Sequence, residues 1–155
     1  MSEKKIVVVG VGNILLSDEG LGVKAVQELE KRGVPENVSL YDAGTSLHLV
    51  MSSFEGYDKM IIVDAIQGGS APGSIYRFTL KELEEGQAPK LNYMFSLHEI
   101  DVPRTLALEK LVSRLPEEVV FLGMEPEKVE PGLDLSPIVQ EKLEDLIALI
   151  EKEFS

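Results

Sequence analysis

Hydrophobic residues in this chain form short continuous runs that alternate with stretches in which apolar positions recur every three or four residues. Lys5–Gly10 and Lys59–Val63 are two of the continuous runs, and both are rich in Val and Ile. Each run predicts a strand that is buried on both faces of a sheet. From Asp18 to about Arg32 the apolar positions have helical spacing, which predicts an amphipathic helix that stops at Gly33.

The rest of the chain continues this alternation. The other predicted strands are Val38–Tyr41, an edge strand at Ser74–Thr79, and Val119–Met124. The other predicted helices are Thr45–Phe54, a helix that begins at Pro103, and a last helix near the end of the sequence. In the last helix Ser136 is the predicted N-cap and Pro137 the first helical residue, and the side chains predicted to face the core are Val139, Leu143, Leu146 and Ile150. Lys81–Lys90 is polar and is predicted to be an exposed excursion. The pattern predicts a single α/β domain over residues 1–155, with a twisted, mostly parallel sheet of about five strands and helices on both faces.

Ligands of such sheets bind outside the carboxyl ends of the strands. Three glycine-rich or polar segments directly follow predicted strands, namely Gly10–Gly22, Tyr41–Ser46 and Asp64–Ile66. We therefore expect the functional residues to converge on that edge of the sheet.

Composition narrows the class of partner. The 155 residues include 15 basic and 27 acidic side chains, and the net charge of -12 argues against a nucleic-acid partner. The absence of cysteine excludes a disulfide scaffold, a thiolate metal site and a thiol nucleophile. No apolar run is long enough for a signal peptide or a membrane span, so we expect a cytoplasmic protein without a membrane partner.

The glycine-rich segment after the first strand first suggests a dinucleotide-binding turn. Gly10 and Gly12 fit that pattern, but Leu15 stands where the third glycine should be. Seven residues also separate Gly12 from Gly20, a poor spacing for placing a pyrophosphate on a helix N-terminus. We therefore expect no nucleotide cofactor.

Two acidic residues lie in the first turn of the predicted helix. Asp18 has an ordinary explanation, because a carboxylate there complements the helix dipole. Glu19 is the stronger functional candidate, since Gly20 and Gly22 remove side chains around it and would let a bulky ligand approach.

Asp64 and His98 complete a possible ligand set with Glu19. Asp64 ends a buried strand, although its carboxylate could instead cap the next segment. His98 follows an irregular stretch that could face either a cleft or solvent, whereas His48 lies in an amphipathic stretch and fits a packing or surface role. One imidazole and two carboxylates suit nickel, zinc, manganese or iron and leave coordination positions open. Neither a G-x-S-x-G nor an H-E-x-x-H motif is present.

Several motifs in order resemble those of the hydrogenase maturation endopeptidases. G-V-G-N-I-L-L-S-D-E-G-L-G at residues 10–22 is similar to the opening motif of that family. It is followed by D-A-G-T (42–45), I-I-V-D-A (61–65), A-P-G-S (71–74), S-L-H-E-I (96–100) and the closing segment G-M-E-P-E-K-V-E-P-G-L-D-L-S-P (123–137). The resemblance covers nearly the whole chain.

This resemblance implies an endopeptidase that removes a C-terminal extension from the precursor of a nickel–iron hydrogenase large subunit after nickel insertion. It maps the metal-contacting residues of the family onto Glu19, Asp64 and His98, and it implies that the nickel is carried by the substrate. It also implies a twisted, mostly parallel sheet between helices. We expect the protein to be a monomer.

One position departs from the family pattern. Ala43 replaces the second residue of the usual D-G-G-T, which would matter if that glycine supplied a positive φ or a close backbone approach. Asp42 in the same motif is the candidate general base or substrate contact. The alternative hypothesis is a binding module or chaperone that holds a metal-loaded partner without cutting it.

Overall fold

A five-stranded sheet forms the centre of the protein in the computed structural model, which describes residues 4–47, 51–85 and 115–155. Its strands are β1 (Ile6–Val11), β2 (Val38–Gly44), β3 (Lys59–Ala65), β4 (Ile75–Thr79) and β5 (Glu118–Met124). The strand order is β2-β1-β3-β5-β4, and only the pairing of β4 with β5 is antiparallel. The predicted α/β fold with a mostly parallel sheet and an edge strand at residues 74–79 is confirmed.

Helices and 3-10 turns cover this sheet. The helices of the described segments are α1 (Leu21–Arg32), α2 (Leu80–Glu84) and α3 (Pro137–Lys152), with 3-10 turns at Ser17–Gly20 and Met51–Phe54.

The core has two halves because successive side chains of a strand point to opposite faces. The half under α1 and α3 includes Val8, Val63, Leu122, Leu29, Val139, Leu143, Leu146 and Ile150. The other half includes Val9, Ile62, Phe121, Phe54 and Phe78.

The strand ends differ from the prediction in a way that matters for the site. β2 continues through Asp42 to Gly44, and β3 continues through Asp64 to Ala65. Both acidic residues therefore belong to strands, so their positions are fixed by sheet hydrogen bonds. The helix predicted from Asp18 begins only at Leu21, because the preceding four residues form a 3-10 turn.

The stretch Lys81–Lys90, predicted to be an exposed excursion, begins in a short helix, and its described residues Lys81 and Glu85 are exposed. Residues 80–84 form helix α2, and its first turn is stabilised by a capping box. The Glu82 carboxylate accepts hydrogen bonds from the Thr79 N–H and hydroxyl at 3.1 Å, and the Glu82 N–H donates to Thr79 Oγ1 at 3.0 Å. The T-x-x-E pattern at residues 79–82 was present in the sequence and was overlooked.

Two predicted helices fall partly or wholly outside the described residues. Of Thr45–Phe54, the structure describes a turn at Thr45, helical backbone at Leu47 and the 3-10 turn at Met51–Phe54. The helix predicted to start at Pro103 lies outside the described segments.

Candidate functional site

Glu19 and Asp64 are buried next to each other at the carboxyl edge of the sheet. Glu19 is on the 3-10 turn that follows β1, and Asp64 is near the end of the neighbouring strand β3. Their exposed fractions are 0% and 1%. Burial, and next the negative charge of Glu19, raise the pKa of Asp64 well above its ordinary value. The convergence of these two residues fits the prediction that strand-end segments share one edge.

Without a bound cation, this acid pair lowers the stability of the folded protein. Moving a carboxylate out of water costs several kcal/mol, and a second carboxylate nearby adds repulsion. A divalent cation would relieve both penalties. Asp64 Oδ1 accepts the N–H of Ala65 at 2.8 Å, while no group of the described residues hydrogen-bonds to Asp64 Oδ2. That oxygen is a hard donor of the kind that binds nickel, zinc, manganese or iron.

Glycines bring the Glu19 turn against the strands. A Cβ on Gly12 would overlap the carbonyl oxygen of Glu19, and a Cβ on Gly22 would overlap the carbonyl oxygens of Val63 and Val11. The expectation that Gly20 and Gly22 leave room for a bulky ligand is therefore wrong. The space beside Gly22 is filled by the backbone of the strands, which places Glu19 close to Asp64.

Asp18, the neighbour of Glu19, has a structural role that the sequence did not indicate. Its buried carboxylate accepts hydrogen bonds from the N–H groups of Glu127 and Lys128 at 2.9 Å each. It also accepts from the N–H of Ser136 at 2.7 Å and from its hydroxyl at 2.8 Å. Asp18 therefore fixes the Glu19 turn to the segment between β5 and α3 and does not simply complement a helix dipole.

Ser136 also has a role different from the one that the sequence predicted for it. It is the N-cap residue of α3, as predicted, but its hydroxyl makes no capping hydrogen bond to the helix. The hydroxyl donates to Asp18 instead. Ser17 strengthens the same junction, because its hydroxyl donates to the carbonyl oxygen of Glu130 at 2.8 Å and its N–H donates to Gly132 at 2.9 Å.

Asp42 lies apart from the acid pair. It pairs with Gly10 in the sheet, and Gly10 pairs with Val63 on its other side, so β1 separates Asp42 from β3. Two strand spacings put the backbones of Asp42 and Asp64 about 10 Å apart. Asp42 is exposed, its Oδ1 accepts the Gly44 N–H at 3.0 Å, and it lines a cavity of about 340 Å³ with Gly12, Asn13, Ile14, Leu15, Val23, Gly44 and Thr45.

The replacement of glycine by Ala43 does not strain the backbone. Ala43 has a negative φ and is buried in the core half that contains Phe54. The positive φ of this motif, +51°, is at Gly44. The backbone freedom that a glycine provides is thus used one residue after Ala43.

A further buried acid, Glu125, was not predicted. It follows β5 and accepts hydrogen bonds from the Tyr76 hydroxyl at 2.6 Å and from the N–H groups of Gly68 and Ser70 at 2.8 and 3.2 Å. Burial, followed by the bond to Glu125, raises the pKa of Tyr76. Glu125 thereby holds the loop that follows Asp64.

His98 and His48 both lie outside the described residues. Within residues 4–47, 51–85 and 115–155, no group of three or more His, Cys, Asp or Glu side chains has the geometry of a metal site. The structure therefore places two of the three predicted ligands, Glu19 and Asp64, and the position of His98 stays a prediction. No helix among the described residues is long and apolar enough to cross a membrane.

Comparison with known proteins gives a consistent result. The profile of the family described as "Hydrogenase maturation protease" matches residues 23–153. The chain is 34% identical to the "Hydrogenase 2 maturation protease" of Escherichia coli, over 90% of this chain and 84% of that protein. It is 31% identical to the "Coenzyme F420 hydrogenase subunit delta" of Methanothermobacter thermautotrophicus, over 97% of this chain and 95% of that protein. The solved structure of the hydrogenase maturating endopeptidase HybD from Escherichia coli superposes on this protein with a TM-score of 0.81 at 30% identity. The superposition covers 94% of this chain and 89% of that one.

Proposed function

The chain belongs to the hydrogenase maturation protease family, and on this basis we propose that it cuts a nickel-loaded hydrogenase precursor. The substrate is the precursor of a nickel–iron hydrogenase large subunit, and the product is the subunit without its C-terminal extension. The observation that supports this proposal is the buried pair of Glu19 and Asp64 at the carboxyl edge of the sheet.

Recognition of the metal follows from the chemistry of this pair. Two carboxylates supply hard oxygen donors, and His98 would add the imidazole that the family resemblance implies. The chain has no cysteine, so it lacks the soft donors that would hold nickel tightly without a substrate. The nickel is therefore part of the substrate, and the protein completes the coordination sphere of an ion that the precursor already binds.

Hydrolysis then breaks one peptide bond of the precursor. Water supplies the oxygen of the new C-terminal carboxylate, and its two protons end on the nitrogen of the released extension, which leaves as an ammonium group. We assign Asp42 as the group that contacts the substrate or takes the proton from water, since it is an exposed carboxylate on the same edge. A general base must lie within hydrogen-bond reach of the water, directly or through one further water molecule.

Mass spectrometry of the precursor before and after incubation tests the proposal. Wild-type protein should release the extension from nickel-loaded precursor and leave nickel-free precursor intact. Glu19→Gln should abolish release, whereas Glu36→Gln, which changes an exposed acid before β2, should not. Equal cleavage of the nickel-free precursor would contradict metal recognition.

A second candidate is a binding module that holds a metal-loaded precursor without cutting it. The observation in its favour is the similarity to a protein named as a subunit of coenzyme F420 hydrogenase. The same experiment separates the two functions. A stable complex of the wild type with nickel-loaded precursor, with no mass change over time, would support the binding module.

A further inference from the structure

Large exposed hydrophobic side chains concentrate beside the acid pair. Ile14 and Leu15 are 42% and 60% exposed and precede the Glu19 turn. Leu133, which is 64% exposed, lies on the segment that Asp18 holds. We refer to Ile14, Leu15 and Leu133 as the apolar rim. Single exposed apolar residues are common, but a group of them at one edge indicates an interaction surface.

The backbone of the apolar rim is fixed by hydrogen bonds between its two segments. The N–H of Gly132 donates to the carbonyl oxygen of Leu15 at 2.9 Å, and Leu16 and Gly132 form a parallel bridge. Asn13 Oδ1 accepts the N–H of Leu15 at 2.9 Å, and Lys24 Nζ donates to the carbonyl oxygen of Leu133 at 2.6 Å. A partner would therefore bind a surface whose backbone needs little further ordering, which favours affinity.

The surroundings of the rim define the chemistry of its partner. Three exposed acids, Glu127, Glu130 and Asp134, outnumber the one exposed base, Lys128, on the segment that carries Leu133. Asp42 shares the 340 Å³ cavity with Ile14 and Leu15. The net charge of -12 extends this acidic character to the whole protein. A complementary partner has apolar side chains at its centre and basic side chains around them.

We propose that the apolar rim is the docking surface for the folded body of the precursor, outside the peptide that is cut. This inference rests on the proposed function, because the rim borders the turn that presents Glu19 to the substrate's metal. Leu15 lies just before this turn, and the segment that carries Leu133 is hydrogen-bonded to it through Gly132 and Ser17. The rim then contributes affinity for the precursor, while the acid pair recognises its metal.

The test compares the double variant Leu15→Ser, Leu133→Ser with the control Leu15→Met, Leu133→Met, which keeps the apolar surface. Both positions are exposed, so unchanged circular dichroism and melting temperature are expected for both variants. Binding of nickel-loaded precursor is measured by biolayer interferometry, separately from cleavage. The Ser variant should weaken binding and raise KM at least about tenfold, as expected for removal of interface anchors, with kcat within about twofold of wild type. The Met variant should match wild type.

The outcomes separate this inference from the proposed function. Wild-type cleavage with unchanged affinity and KM in the Ser variant would overturn the docking surface and leave the protease function intact. Rim-dependent binding without cleavage would support the docking surface and contradict the protease function. Failure of the wild type to bind nickel-loaded precursor would overturn both. A wild-type dimer that the Ser variant dissociates, with precursor affinity unchanged, would assign the rim to a second copy of this chain.

Discussion

Asp18 and Ser136 are 118 positions apart in sequence and are joined by two hydrogen bonds in the folded protein. The Asp18 carboxylate accepts both the N–H and the hydroxyl of Ser136, in addition to two further N–H groups. This side chain connects the turn after β1 to the start of α3. Its neighbour Glu19 forms the acid pair with Asp64, so two adjacent acidic residues have different partners.

Asp18→Asn should destabilise the protein strongly. The amide keeps one acceptor oxygen but turns the other position into a donor that faces N–H groups, and buried hydrogen bonds to a charged group contribute about 1.5–3 kcal/mol each. We expect a loss of about 2–4 kcal/mol in the free energy of unfolding, measured by urea denaturation. Ser136→Ala, which removes one hydroxyl, should cost only about 1 kcal/mol. A loss in Asp18→Asn no larger than that in Ser136→Ala would contradict this role.

Asp64→Asn should abolish precursor cleavage and raise stability. The folded state raises the pKa of Asp64, so it holds the proton more tightly than the unfolded chain does. The free energy of unfolding therefore falls as the pH rises above 3.8, the ordinary pKa of an aspartate. The Asn side chain of the variant stays neutral and does not cause this loss of stability. A gain of about 1 kcal/mol would raise the melting temperature by roughly 2–4 °C at neutral pH. Calorimetry that shows a lower melting temperature for the variant would refute the prediction.

Glu153 should make stability sensitive to acid. Arg77 donates to both its carboxylate oxygens, at 2.8 and 3.2 Å, and Lys59 lies at 3.0 Å. The Arg77 hydrogen bonds, more than the Lys59 contact, lower the pKa of Glu153 below its ordinary value of 4.5. The stabilisation is complete above pH 4.5 and is lost as pH falls through the folded pKa.

Denaturation of wild type and Glu153→Gln at a series of pH values measures this effect. The variant should be less stable at neutral pH by about 0.5–1 kcal/mol, and the difference should shrink below pH 4.5. Glu141→Gln, an exposed acid on α3, is the control and should show no such convergence. A constant difference across the whole pH range would rule out titration of Glu153 as the cause.

His98→Ala should abolish processing without unfolding the protein. The family resemblance assigns His98 to the metal, and loss of a ligand should reduce activity by at least the roughly 10–100-fold associated with loss of a second-shell partner. Cleavage of nickel-loaded precursor is the measurement, with circular dichroism to confirm folding. His48→Ala is the matched control, because a packing or surface histidine is not needed for cleavage. Normal cleavage by His98→Ala would remove this residue from the ligand set.

Local patterns predicted much of this fold. The β-branched runs identified β1 and β3, and the helical spacing of Val23, Val26 and Leu29 identified the buried face of α1. These features depend on residues that are close in sequence. The convergence of Glu19 and Asp64 followed from one further rule, that parallel strands end at a common edge.

Other features were beyond local patterns because they depend on distant partners. The role of Asp18 could not be inferred without knowing that residues 127–136 return to the turn after β1. The role of Gly22 was predicted wrongly for the same reason, because a Cβ at this position would overlap the carbonyl oxygen of Val63, which is distant in sequence. The capping box of Thr79 and Glu82, by contrast, could have been predicted, because its T-x-x-E pattern lies within four consecutive residues of the sequence.

The position of β5 between β3 and β4 affects when the acid pair becomes organised during translation. Glu19 and Asp64 leave the ribosome early, but β5 and the residues that fix Asp18 are made only between positions 118 and 136. Pairing of such distant segments is slow, because loop-closure entropy opposes it before the contacts form. A growing chain therefore contains both acidic residues well before it has an organised site. The site that we propose for precursor cleavage is therefore organised only after the chain has been made as far as Ser136.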